Sequence, residues 1–216
     1  MTFWYSKFKT FAFYFIAAVI AVTALKAFCL PSKVFLNVPF LCQAPYGNWG
    51  QPWQDACEEA AIIMAIHYIK GDPVNRESGN REILDLVDYQ VKQYGGHHDL
   101  TAEQSARLIK DYYKFNNLEV RDGIAISDIK DELARGNVVI VPMAGRLLGN
   151  PYYTLPGPAY HYMLFKGYDD RTGEFITNDA GTKRGRNYRY KYRVAFNAIS
   201  DFKTGRKAMI VVKYIN

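Results

Sequence analysis

An α+β fold in one domain is what this sequence predicts, and three observations predict it. The first half of the body carries helix-type apolar periodicity broken by Gly stops. The second half consists of short apolar or alternating runs separated by Gly-, Pro- and Asp-rich turns, so helices precede an antiparallel sheet. Composition agrees: 216 residues with 49% apolar and 22% charged side chains are globular proportions, which excludes a disordered, collagenous or disulfide-dense chain. The net charge of +6 is mostly local. Residues 1–33 hold Lys7, Lys9, Lys26 and Lys33 and no acid, which leaves the body near neutrality. No nucleic-acid partner is expected on that balance.

Residues 1–33 read as a signal peptide or an N-terminal membrane anchor. Lys7 and Lys9 precede sixteen uncharged residues, Thr10–Leu25, with Lys26 closing the run. The body, 34–216, is then expected outside the cytoplasm, either tethered or secreted. Val34–Phe40 reads as a strand, followed by an aromatic, Pro-rich loop. Asp55, with Glu58 three residues on, predicts a capping-box start for a helix that stops at Gly71. Asn80–Tyr94 and Thr101–Phe115 read as further helices, the latter boxed by Thr101 and Gln104. Leu118–Arg121 reads as a short strand and Ser127–Arg135 as a short helix. Val138–Val141, Tyr160–Tyr168, Phe175–Asn178 and Met209–Ile215 read as strands. Tyr188–Arg193, in which Tyr alternates with Arg or Lys, is read as a half-exposed strand.

The chemistry centres on Cys57. At the start of a helix, free backbone N–H groups and the positive helix end favour a thiolate, although Glu58 and Glu59 would oppose it if they faced the thiol. A base is needed, and four His are available. His67 lies ten residues along the same helix, roughly 15 Å away, and reads as packing. His97 and His98 read as a solvated loop. His161 opens the apolar strand after a Gly-Pro loop, where a base can face a helix N-terminus. The orienting group is Asn178 or Asp179. A three-residue hairpin loop would leave Asp179 opposite Phe165, about 13 Å from His161, unless a longer turn or a bulge closes the gap. Gln43, Gln51 and Gln54 all precede Cys57 as candidate oxyanion donors.

Four ordered blocks carry a resemblance: VPFLCQAPYGNW (38–49), DACEEAAIIMA (55–65), GPAYHYMLFKGYD (157–169) and FITNDAGTKRG (175–185). Together they resemble the bacteriocin-leader-peptidase-like (C39-like) cysteine peptidases, and more narrowly their exported stand-alone domains. The resemblance implies a papain-like fold in which the nucleophile helix packs on the antiparallel sheet. It implies Cys57 as nucleophile, His161 as base, Asp179 as orienting residue and Gln43 as oxyanion donor, with Gln51 the competitor. Cys42 stands where a small hydroxyl residue is common, and Ala180 where Pro is usual. Tyr152 and Tyr153, in the loop Arg146–Pro158, and Tyr160 are expected to bind substrate. The expectation is a monomer without cofactor or metal that cuts peptide or isopeptide bonds, peptidoglycan cross-links among them. Three alternatives remain: an inactive papain-like module that binds peptide or anionic wall polymer, a basic binding strip at Lys183–Arg193, and a zinc site at His97, His98 and His161. The peptidase reading requires Cys42 and Cys57 to be reduced.

Overall fold

The computed structural model describes residues 30–214. The export segment expected over 1–33 therefore lies almost wholly outside the described residues. Among the described residues no helix is long and apolar enough to cross a membrane.

The chain runs β1 (Lys33–Phe35), α1 (Cys57–Lys70), α2 (Arg76–Tyr94), α3 (Ala102–Tyr113), β2 (Leu118–Asp122), α4 (Ile126–Ala134) and β3 (Val138–Met143). It continues through β4 (His161–Asp169), β5 (Glu174–Asn178), β6 (Tyr188–Lys191), α5 (Tyr192–Ala198) and β7 (Ala208–Val212). The strands form one antiparallel sheet in the order β2-β7-β3-β4-β5-β6, with β1 paired to the far end of β4. The three longest helices precede all but β1 of the sheet, the α+β order expected, while α4 and α5 fall between strands.

The strand runs are apolar on both faces because the sheet is covered on both. Val138, Ile140, Tyr162, Leu164, Ile210 and Val212 pack under α1 to α3. Their alternates Val139, Val141, Met163, Phe165, Met209 and Val211 meet Ile129 and Leu133 of α4 and Ala195 and Ala198 of α5. Helix α1 is buried continuously from Cys57 to Ile66, which explains its lack of a polar stripe.

Several boundaries differ from expectation. Helix α1 begins at Cys57, not near Asp55: a 3-10 turn, Trp53–Asp55, precedes it, and Ala56 is the cap without a side-chain bond. Glu58 makes no capping box because its carboxylate bonds Leu100 N and the Cys57 thiol instead. Gly71 does end the helix, in the left-handed conformation that favours glycine. Helix α2 starts at Arg76, since Asn75 and Ser78 cap each other reciprocally. The alternating run at 188–193 is strand only to Lys191. There Tyr192 N turns to Gly173 O, and the chain coils into α5. Phe35 ends β1; Leu36 N still donates to Lys166 O of β4 at 2.8 Å, and residues 37–40 continue outside the sheet.

The β4–β5 hairpin settles the register question. Glu174 pairs with Asp169 across a four-residue turn, and a bulge at Lys166 moves the pairing on by one more. Asn178 therefore faces Leu164, and the next residue, Asp179, falls opposite Met163 on the face that carries His161.

Candidate active site

The site forms where the N-terminus of α1 meets the start of β4. Cys57 is the first residue of α1 and is buried, and the main chain of Tyr162, directly after His161, lies close enough to favour its thiolate. Other influences prevail. Burial, then the charge and hydrogen bond of Glu58, push the Cys57 thiol well above its ordinary value. In this structure the thiol donates to Glu58 Oε2 at 3.0 Å, and no hydrogen bond joins it to His161.

His161, buried at the head of β4, has its Nε2 at 2.9 Å from Asp179 Oδ1. That leaves Nδ1 as the ring nitrogen available to a thiol. Asp179 is fully buried and is the acceptor for five donors. Oδ1 takes His161 and Gly181 N, at 3.0 Å; Oδ2 takes Tyr153 Oη and Tyr190 Oη, each at 2.7 Å, and Asn150 Nδ2 at 3.0 Å. Burial works to raise this carboxyl, but His161 and the two tyrosine hydroxyls outweigh it and hold Asp179 below the usual range. Asn178 points elsewhere: its Nδ2 donates to Pro39 O at 2.9 Å, so it ties the β1 extension to the sheet and does not orient His161.

Gln43 N bonds Ala180 O, beside Asp179, and both Nε2 hydrogens go to main-chain oxygens just before α1, Trp53 and Gln54, at 2.9 Å each. Gln43 thus sits between the two halves of the site, whereas Gln51 is exposed and bonds Asp55. Gln54 is also exposed. Cys42 and Cys57 are both free. Burial raises the Cys42 thiol, helped by nearby Asp179 and opposed by Lys183.

The tyrosines divide. Tyr152 is exposed, with Arg184 4.8 Å over its ring. Tyr153 turns inward, its ring edge-on to His161 at 5.7 Å and its hydroxyl on Asp179, so it supports the site instead of walling a cleft. Tyr160 is half-buried, its hydroxyl donating to Leu100 O at 2.7 Å. Sequence reasoning missed Tyr190 and Asn150 as supports of Asp179. The period-2 pattern marked Tyr190 as inward-facing, but not what its hydroxyl would meet.

The remaining candidates separate from the site. His67 bonds Glu82 at 2.8 Å, as packing would have it. His97 is not solvated: it is buried, its ring centre 4.2 Å from that of His98 and tilted 42° to it, and its basicity is lowered by that burial. His98 pairs with Asp55 at 3.1 Å. Among the described residues no cluster of His, Cys, Asp or Glu is arranged to hold a metal. On the basic strip, Arg189 and Lys191 share the Glu174 carboxylate at 3.2 and 2.9 Å, and Arg189 also lies 3.8 Å from Asp169. Lys183, Arg184 and Arg186 are exposed without an acidic partner among the described residues.

The model of the Peptidase_C39 like family matches residues 35–206. The chain belongs to this family. It is a cysteine peptidase with a papain-like fold, and its family implies a peptide substrate. A crystal structure described as a C39-like peptidase from Bacillus anthracis superimposes with a TM-score of 0.54 at 17% identity, covering 85% of this chain and 99% of that one. Xylellain, a cysteine protease from Xylella fastidiosa, aligns at 17% identity with a TM-score of 0.46, over 87% of this chain and 88% of that one. No curated protein matches the sequence.

Next to the Cys57 helix turn the peptidase buries a second carboxyl. Glu59 is fully buried, bonded to Gln90, and its Oε2 has no partner. Burial, then the charge of Glu58, raise it well above the ordinary range. A carboxyl whose folded value is raised binds its proton more tightly when folded, so its ionisation costs stability as pH climbs from the unfolded value. The melting temperature of the peptidase should therefore fall as pH rises above about 4.3, the unfolded glutamate value. Glu59→Gln should flatten that fall, and an unchanged slope by calorimetry would refute it.

Proposed function

We propose that the peptidase hydrolyses peptide or isopeptide bonds through Cys57, His161 and Asp179. His161 Nδ1 takes the Cys57 proton while Asp179 holds Nε2, and the sulfur attacks the substrate carbonyl carbon. His161 then protonates the leaving amine, and a water deprotonated by the same imidazole releases the acyl group. The observation that carries this reading is the His161–Asp179 pair, buried and braced at the edge of the Cys57 helix. The oxyanion is held by the Cys57 amide and by Gln43, which must release one of its two main-chain acceptors to reach it. Gln43 suits this role better than exposed Gln51. Tyr152 and Tyr160 line the substrate path. The N-terminal segment carries the body out of the cytoplasm, which makes wall peptides or secreted proteins the natural substrates, and the peptidase works as a monomer.

A peptidyl epoxide tests the chemistry, because only an activated thiol opens it. One equivalent should attach to Cys57, and His161→Ala should slow labelling roughly a hundredfold. Equal, slow labelling of both proteins would instead favour an inactive module whose thiol is held by Glu58, and polymer binding would become the question. Whether export removes residues 1–33 is read from the N-terminal sequence of the mature protein.

A further inference from the structure

We propose that Glu58 is a positioning residue that controls the proton on Cys57: while Glu58 is ionised it holds the nucleophile as a neutral thiol, and only when Glu58 is protonated can the Cys57–His161 ion pair form. This deepens the reading above, since it assumes that Cys57 is the nucleophile and His161 its base.

The geometry is direct. The Cys57 thiol donates to Glu58 Oε2 at 3.0 Å, and Leu100 N binds the other oxygen at 3.0 Å, so the carboxylate is fixed against the sulfur. Both residues are buried. A thiolate made there would stand beside a carboxylate in a site poor in water, which like-charge repulsion opposes. The surroundings supply no countercharge to Glu58. On α1 it faces Cys57 and Glu59; from the loop before α3 comes Asp99, itself beside exposed His98; from β4 and the residue before it come Tyr162 and Tyr160, with Asp201 beyond. No salt bridge to Glu58 exists among the described residues. Burial, set against the Cys57 hydrogen bond, raises this carboxyl to about 7, within reach of physiological swings.

Proton counting sets the sign. With Glu58 protonated, the proton of Cys57 moves to His161 Nδ1, giving S⁻ and imidazolium beside a neutral carboxyl. Loss of the Glu58 proton restores a carboxylate that accepts the S–H, and the imidazole is left neutral. Thiol reactivity should thus fall, not rise, across neutral pH.

The test follows iodoacetamide alkylation of Cys57 in the full chain from pH 5 to 9, read by mass spectrometry at the Cys57 peptide so that Cys29 and Cys42 do not interfere. The wild-type rate is expected to be about tenfold higher at pH 6 than at pH 8, the ratio of protonated Glu58 at those values. Glu58→Gln, which keeps an acceptor for Leu100 N, should remove the decline, while Glu59→Gln should retain it. Should Glu58→Gln not fold, the wild-type profile decides alone. A wild-type rate that climbs steadily with pH overturns the proposal. If His161→Ala nevertheless slows alkylation, the Cys–His pair survives that failure. If His161→Ala changes nothing at any pH, both the pair and the Glu58 role are refuted.

Discussion

Asp179→Asn should lower kcat about a thousandfold to ten-thousandfold, with KM little changed and the folded structure kept. The carboxylate accepts from His161, Gly181 N, Tyr153, Tyr190 and Asn150, and every one of these partners donates to it. An amide of the same shape must turn an NH2 toward some of those donors. If the NH2 faces His161, the imidazole loses the group that fixes its orientation. If it faces the tyrosines, two buried hydroxyls lose their acceptor. Either arrangement also costs about 2–4 kcal/mol, because buried donors are left unmet. The pH dependence separates this from general damage. Asp179 lies below the usual range when folded, so the stability it contributes is complete above about pH 4 and is lost as pH falls below that. The melting temperatures of wild type and Asp179→Asn should therefore converge under acid. A gap that stays constant down to pH 2.5, or a variant with full kcat, would show that Asp179 is not the orienting charge.

The second large effect is expected at Gly185, whose backbone lies against that of Asp179. Its backbone crosses that of Asp179: Asp179 N donates to Gly185 O at 3.0 Å, and a Cβ on Gly185 would run into the Asp179 carbonyl oxygen. The obstacle is main chain, which cannot swing aside as a side-chain tip can. Gly185→Ala should therefore destabilise the fold by about 2–3 kcal/mol and move Asp179 off His161. Activity should fall by more than the melting temperature accounts for. Gly205→Ala serves as the comparison, since its Cβ would meet open space, although its positive φ carries a strain of its own. If Gly185→Ala melts and cleaves like wild type, the close crossing does not matter to the site.

Much of this site was legible in the sequence because its parts are local. A cysteine opening an apolar helix, a histidine opening an apolar strand and an aspartate closing the next strand are each marked by neighbours two or three residues away. The rest depends on contacts that cross the fold. Glu58 and Glu59 read as helix-start acids, yet both are buried, one on Leu100 N and one on Gln90. Tyr153 reads as a cleft wall by its loop, but its hydroxyl belongs to Asp179. Helix α5 was hidden because alternating Tyr and Arg or Lys persist through Arg193. What ends the strand is the hydrogen bond from Tyr192 N to Gly173 O, a turn eighteen residues upstream of Lys191.

The four-residue turn and the Lys166 bulge also constrain how this hairpin can be inherited. With every residue retained, re-pairing that smooths the bulge or tightens the turn shifts β5 by a single position and rotates Asp179 to the opposite side of the sheet from His161. Loss of both restores the side but leaves Asp179 one residue pair, about 7 Å, farther along. Deleting Lys166 itself acts differently, because Phe165 would still meet Thr177 and Asp179 would stay on the face of His161; the hairpin can therefore lose its bulge by excision but not by slippage.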